Sequence, residues 1–308
     1  MKTNSFTQCL NAVTIYTTYI MNHLKKYLPY ILILLLFLIS LVTMLSLYTH
    51  NNEKFMKVVF LDVGQGDAIY IEAPNGRQIL IDGGPDAKLL SSLGKVMPFA
   101  DRSIDMIIAT HPDMDHIGGF SLLLDNYKIT SIIENKTISS SSQIYSSLED
   151  KISKKKINKI IARRGMHIIL DEKKNIYLDI LFPDRDISNF DSNDSSIVSK
   201  LVYGNNSFMI TGDASLYTEN LIEWNEKETT LHSDVLKLAH HGARTSSSVL
   251  WLEKVNPSIA IISAGKNNSY GHPHQELLDR LSTLHIPYLS TIEKGNIIFK
   301  SDGIKLIY

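Results

Sequence analysis

Two kinds of hydrophobic patterning divide the chain. Tyr27 to Thr49 form an unbroken apolar run, mostly Leu and Ile, with no charged side chain. Roughly 20 such residues suffice for a helix to cross a bilayer core. The run therefore predicts one transmembrane helix at 28–49, with a tail at 1–27 and a domain at 50–308. From Val58 onward the apolar residues come in short runs separated by Gly, Asn and charged positions. These read as strands at 58–62, 68–72, 79–81, 106–109, 131–133, 176–182, 197–202, 208–211, 235–238, 259–262 and 296–299. Helical spacing appears at 87–97, 142–152, 216–224, 247–255 and 274–282. Asn75-Gly76 and Gly204-Asn205-Asn206 are hairpin turn signals, and Ser139 to Ser142 reads as a loop. Strands alternating with helices predict an α/β sandwich, and the hairpins make part of the sheet antiparallel.

Charge sets the expected orientation of the apolar run. Lys2, Lys25 and Lys26 precede it with no acidic residue, whereas Asn51, Asn52, Glu53 and Lys54 follow it. Basic residues favour the cytoplasmic side, so the N-terminus is expected inside the cell and the domain outside, as a single-pass membrane protein. A cleaved secretory signal starting at Met21 is the competing reading. The stretch Thr43 to Tyr48 has no good small-x-small cleavage site, and the run is longer than a typical signal core, which favours a retained anchor. The only cysteine, Cys9, precedes the run, so the domain has neither a disulfide nor a thiol nucleophile. The net charge is −1, which gives no global attraction to polyanions. A local exception is Lys151, Lys154, Lys155, Lys156, Lys159, Arg163 and Arg164. This cluster suits either a nucleic-acid backbone or a solvated helix end, and the second is the commoner origin of such runs.

The densest chemistry lies in His111-Pro112-Asp113-Met114-Asp115-His116-Ile117-Gly118, after the apolar run Met106 to Ala109. Imidazole and carboxylate are ligands of hydrolytic metal sites. A strand end followed by a Gly-containing turn can swing such side chains toward one point. The stretch resembles the His-x-His-x-Asp-His signature of the metallo-β-lactamase fold, with Asp113 in place of the second His. That departure, followed by Ile-Gly-Gly, is similar to the extracellular hydrolase domain of the ComEC competence-protein family. Phe60 to Ala68, Ile81 to Gly84, Thr211 to Ala214, Lys237 to Gly242, and Ser263 to Asn267 with Tyr270 to His274 match in the same order. The resemblance covers about residues 57 to 308 and implies an αββα metallo-β-lactamase sandwich preceded by one transmembrane helix.

The resemblance also implies a ligand set. His111 and Asp113 would serve one metal, Asp115 and His116 a second, and Asp213 would bridge. Read from sequence alone, Asp213 also suits the N-cap of the helix from Leu216. One of His240 and His241 would complete the set; His241 is favoured because the usual His at this place precedes Gly. The matching place for a further His is Asn193-Asp194-Ser195-Ser196, which makes the site oxygen-rich and shifts preference from zinc toward manganese or magnesium. One or two divalent ions, zinc or manganese, are therefore expected. Asp82 is expected to brace the ligand loop, and Gln65 and Asp67 to reach the rim or simply to form a turn. Asp115, His272 and Lys266 are the catalytic candidates, with His272 serving a leaving group or phosphate oxygen and Lys266 a phosphate charge.

These readings converge on a membrane-anchored extracellular metallohydrolase whose expected substrate is a phosphodiester, with extracellular DNA as the example the resemblance supplies. The competence proteins also carry a multi-span channel and a small nucleic-acid-binding domain, for which these residues show no counterpart, so DNA import by this chain is not expected. Two alternatives stay open: hydrolysis of an ester, amide or lactone, and a metal-binding module without turnover.

Overall fold

The computed structural model describes residues 4–52, 55–135 and 143–308, so the Ser139–Ser142 loop lies outside the described residues. The chain divides into two compact units, Met1–Glu53 and Lys54–Tyr308. The first contains one continuous helix, α1 (Asn4–Asn52), with Pro29 inside it. The helix therefore runs through the stretch read from sequence as a tail, for about 74 Å at the usual rise per residue. Its segment Thr14–Leu45 is long and apolar enough to cross a membrane.

The second unit is a four-layer sandwich. Its strands in chain order are β1 (Met56–Phe60), β2 (Ile69–Glu72), β3 (Gln78–Ile81), β4 (Ser103–Ala109), β5 (Lys128–Glu134), β6 (Asn158–Ile161), β7 (His167–Asp171) and β8 (Ile176–Phe182). They continue with β9 (Val198–Tyr203), β10 (Asn206–Ile210), β11 (Val235–Lys237), β12 (Ile259–Ile262), β13 (Tyr288–Ser290), β14 (Ile297–Ser301) and β15 (Leu306–Ile307). One sheet has the order β15-β14-β1-β2-β3-β4-β5-β6 and the other β13-β12-β11-β10-β9-β8-β7. Each sheet has a parallel half, β3 to β6 and β10 to β13, while its remaining pairs are antiparallel. The two hairpin signals form the β2–β3 and β9–β10 turns.

Alternation along the strands produces the layers. Val58 and Phe60 enter the core between the sheets, where they meet Leu201, Phe208, Ile261 and Phe299. Val59 faces the opposite way, into a second core with Leu89, Phe120, Leu123 and Ile152. These come from α2 (Lys88–Leu93), α4 (Phe120–Asn126) and α5 (Gln143–Lys155), with the single turn α3 (Met114–Ile117) between α2 and α4. A third core joins the second sheet to α6 (Leu216–Asn225), α7 (Glu228–Leu231), α8 (Val249–Val255) and α9 (Gln275–Thr283), followed by the short α10 (Thr291–Lys294). The order helix, sheet, sheet, helix is the expected αββα arrangement, and burial on both strand faces explains the near-continuous apolar runs.

The Lys-rich cluster spans the end of α5 and the edge strand β6. Lys151 pairs with Asp125, Lys159 with Glu134 and Glu149, and Arg164 with Glu226, each at 2.6 Å. Part of its charge is thus neutralised within the fold.

Candidate metal centre

Both sheets deliver polar side chains to one seam. On one side β4 ends at Ala109, and Thr110 and His111 continue from it; Asp113 is extended and precedes α3, whose first residues supply Asp115 and His116. Asp82, just past β3, has φ 59° and is buried. Its carboxylate accepts the Thr110 N–H at 2.8 Å and the Thr110 hydroxyl at 2.7 Å. The same carboxylate lies 2.8 Å from His116 Nδ1. A carboxylate only accepts, so the proton of His116 sits on Nδ1 and its Nε2 is left for the site. His111 Nδ1 lies 3.1 Å from Thr110 Oγ1 and 3.3 Å from Ser196 Oγ, which again leaves Nε2 facing forward.

On the other side Asp213 follows β10 through Gly212, which has φ +51°. The Asp213 N–H donates to Ser196 Oγ at 3.1 Å. The N-cap of α6 is Ser215, whose hydroxyl accepts the Tyr217 N–H, so capping does not account for Asp213. His240 and His241 follow β11 with φ of 50° and 55°. Two successive non-glycine residues in the left-handed region are costly, and the surrounding contacts hold them. The His241 Nδ1–H donates to the Ser263 carbonyl at 2.9 Å, and its Nε2 lies 3.2 Å from Asp115 and 3.4 Å from Asp213.

The Asp213 carboxylate is the meeting point. Its Oδ1 lies 3.3 Å from His116 Nε2, and its Oδ2 lies 4.0 Å from His111 Nε2 and 3.8 Å from His240 Nε2. Asp115, His116, Asp213 and His241 each place a ligand atom within 4.8 Å of the others. His111, Asp113 and His240 gather more loosely, with His111 Nε2 at 3.7 Å from Asp113. A cavity of about 230 Å³ opens over Asp113, Asp115, Asp213, His240, His241 and His272. A larger groove of about 680 Å³, at Lys200 and His232, includes none of these residues.

The electrostatics follow from burial and carboxylate density. Burial lowers the His116 pKa, but Asp213 and Asp82 outweigh it and raise it well above the ordinary value. For His241, burial is likewise outweighed, by Asp213 and Asp67. Burial pushes the Asp213 carboxyl up, yet His241 and His116 bring it well below the usual range. Burial and the neighbouring His116 hold His111 down at about 4. Anionic carboxylates thus draw positive charge to this point. The buried Nε2 atoms of His111 and His116 have no aligned hydrogen-bond partner among the described residues, whereas their Nδ1 atoms are engaged. Imidazoles oriented from behind, with their Nε2 atoms facing carboxylate oxygens, fit one or two divalent ions, which would take the place of the second proton that the carboxylates favour on His116 and His241.

The loop after β12 meets the expectations unevenly. Asn268 Oδ1 accepts the N–H groups of Tyr270 and His272, and its amide donates to the carbonyls of Gly265 and His272. This turn places the His272 ring 5.4 Å from that of His240, with its Nδ1 buried and without a hydrogen-bond partner among the described residues. Lys266, in contrast, is exposed and does not line the cavity. Gln65 does line it, and its Oε1 accepts the Gly265 N–H at 3.1 Å. Two contacts were not read from sequence. Ser192 donates to Asp113 Oδ1 at 2.6 Å, and Lys237 is an ion-pair partner of Asp67 at 2.5 Å. A lysine inside the apolar run Val235 to Leu238 was the available signal for the second.

Comparisons agree with this architecture. Residues 61–266 match the Metallo-beta-lactamase superfamily. The chain is 31% identical over 270 residues to ComE operon protein 3 of Bacillus subtilis, covering 79% of this chain and 33% of that protein. It is 30% identical over 262 residues to Recombination protein 2 of Haemophilus influenzae, covering 82% and 29%. The chain thus spans about a third of the length of these relatives. Among solved structures, CmlA, a diiron beta-hydroxylase from Streptomyces venezuelae, aligns with a TM-score of 0.51 at 11% identity, covering 80% of this chain and 54% of that one. A long form RNase Z from yeast aligns with a TM-score of 0.50 at 13% identity, covering 80% and 42%, and both likenesses speak to the fold alone. A helix-sheet-sheet-helix sandwich with histidines and carboxylates at its seam, matched over most of the domain, makes this chain a member of the metallo-β-lactamase superfamily, with the Asp and His set of a metal-dependent hydrolase.

Proposed function

We propose that this chain is a membrane-anchored hydrolase of phosphodiesters that works outside the cell. Residues 1–27 would form the cytoplasmic tail, 28–49 the span and 50–308 the catalytic domain. The observation that carries the reading is one buried carboxylate, Asp213, shared between a tight ligand group and a looser one. We assign Asp115, His116, Asp213 and His241 to one ion, and His111, Asp113, His240 and the other side of Asp213 to a second. Bound divalent ions lower the pKa of water toward neutrality and stabilise negative charge on the attacked centre.

The chain's own residues have defined parts in this reading. Asp82 orients His116, and Ser192 holds Asp113. Burial and the nearby His241 and His240 hold the His272 pKa at about 4, so it is neutral at pH 7 and suited to donate an N–H to a phosphate oxygen. Lys266, exposed and outside the cavity, is given no part in the reaction. Three carboxylates at the cavity repel a phosphodiester unless cations are present, so substrate binding should require the ions. The name of the Haemophilus influenzae relative, Recombination protein 2, supports nucleic acid as the source of that phosphodiester. Asp113 offers oxygen where the fold's usual set has imidazole, and Asn193 lines the cavity at the place of another, which supports manganese at least as well as zinc.

The test uses the full chain in detergent, stripped of metal and reloaded with manganese, zinc or neither. Bis(p-nitrophenyl) phosphate, p-nitrophenyl acetate and a chromogenic β-lactam are the substrates. Turnover of the phosphodiester, with manganese at least as effective as zinc, is expected. Turnover of only the ester or lactam would replace the substrate reading, and silence despite bound metal would replace the enzyme reading. Protease added to intact cells should remove the domain; protection until lysis would reverse the orientation.

A further inference from the structure

We propose that Lys237 is a fixed cation that occupies the back of the centre and keeps divalent ions out of a second buried ligand group. That group is the carboxylates of Asp67 and Asp82, which lie with His116 Nδ1 within 4.8 Å of one another; Nδ1 keeps the proton it donates to Asp82, so the two carboxylates are the atoms that could ligate. It lies on the Nδ1 side of His116, where Asp82 is 2.8 Å away, whereas the front group uses Nε2. Both carboxylates are about 1% exposed. Two buried anions of this kind require compensation by positive charge or hydrogen bonds. Asp82 has its hydrogen bonds from Thr110. Asp67 has Lys237.

Lys237 is fully buried at the end of β11, between Leu236 and Leu238, which are also fully buried. Strand alternation explains its direction. Val235 belongs to the core between the sheets and Leu236 to the outer core, so Lys237 points inward again, toward the loop that carries Asp67. Its Nζ is 2.5 Å from Asp67 Oδ2, as an ion pair rather than an aligned hydrogen bond. The other oxygen of Asp67 lies 3.4 Å from His241 Nδ1. One ammonium therefore engages the carboxylate that stands behind two front-facing imidazoles. An ammonium neutralises without coordinating, so it satisfies Asp67 while leaving no vacancy for a divalent ion. Ions are then confined to the face that opens on the cavity.

This inference rests on reading the front group as a metal centre, and its test separates the two. Full-length wild type, Lys237→Met and Lys237→Met/Asp67→Asn are loaded with excess manganese, desalted and analysed for bound metal per folded chain. Lys237→Met should hold one ion more than wild type, and the double variant should return to the wild-type number. A folded Lys237→Met with the wild-type number overturns the proposal. If Lys237→Met folds only with manganese present, the count is made under that condition and the rescue itself supports the proposal. Failure to fold even then, or a double variant that keeps the extra ion, also overturns it. A wild type without any ion would sink the front-group reading, while the difference between variant and wild type would still test Lys237.

Discussion

Replacing Asp82 with Asn tests how the chain prepares its imidazoles. The substitution keeps shape, and Asn tolerates the left-handed φ of 59° that Asp82 adopts, so the backbone is not forced to move. It reverses the polarity of one atom, Oδ2, which accepts from both the Thr110 hydroxyl and His116 Nδ1. The amide oxygen can still accept the Thr110 N–H, but the amide NH2 then faces His116 Nδ1 at the position where the carboxylate oxygen sat 2.8 Å away. Two donors cannot share that contact, so the His116 proton moves to Nε2. That nitrogen, 3.3 Å from Asp213, loses the lone pair a metal needs. Loss of such a supporting contact typically costs about 10–100-fold in metal affinity, or roughly 1.4–2.8 kcal/mol. The assay is calorimetric titration of manganese into metal-free wild type and Asp82→Asn, with a melt of each. Affinity should fall by that factor while the variant stays folded. Wild-type affinity in the folded variant would refute the tautomer argument. Asp82→Ala is the contrast: it strands the buried Thr110 N–H, so its stability should fall by about 1–3 kcal/mol even without metal.

Three further outcomes follow from other contacts. A Cβ on Gly66 would sit 2.1 Å from the Asp115 carbonyl oxygen, so Gly66→Ala should displace Asp115 and lower kcat on the order of 100-fold, measured on the phosphodiester chromogen. Since Ser215 caps α6, Asp213→Ala should lose bound metal by more than Asp82→Asn does while the domain stays folded; retention of metal in direct analysis would remove Asp213 from the ligand set. Burial raises the Glu219 pKa to about 7 despite N–H donation from Ser247 and Ser248. A raised carboxyl pKa stabilises the folded state below its unfolded value of 4.5, and that contribution is lost as pH rises through 7. Wild-type stability relative to Glu219→Gln should therefore drop by about 3 kcal/mol between pH 4 and pH 8 in denaturant melts, and a flat difference would contradict it.

Local pattern was enough where it coincided with burial. The runs at 176–182 and 259–262 are strands with those same bounds, because both of their faces are covered. β6 was not read because Asn158 and Lys159 belong to the Lys-rich stretch and its exposed edge carries little apolar signal. α4 gives little signal of its own because it follows the ligand turn after only Gly118 and Gly119. At the site, residues with ligand chemistry stood out in the sequence and the fold gathers them. Their supports did not, since Ser192 meets Asp113 across 79 positions and an ordinary serine carries no mark of that contact. Lys266 shows the converse: it belongs to the same stretch as His272, yet it is exposed and outside the cavity that His272 lines.

The pairing of β1 with β14 has a kinetic consequence. Met56 meets Ser301 and Phe60 meets Ile297, so the first strand of the domain is completed by nearly its last. Phe299 on β14 touches Phe60 at 5.9 Å and Phe208 at 5.7 Å between ring centres, which ties that strand to both sheets. During synthesis β1 is an unpaired apolar edge on that side until the far end of the chain emerges. Such an edge can recruit other strands, including those of neighbouring chains. Contacts this distant in sequence also close slowly, because loop entropy must be overcome before they form. The domain therefore completes its first sheet only after synthesis of β14, and nascent chains stalled short of β14 should accumulate as aggregates rather than as partly active enzyme.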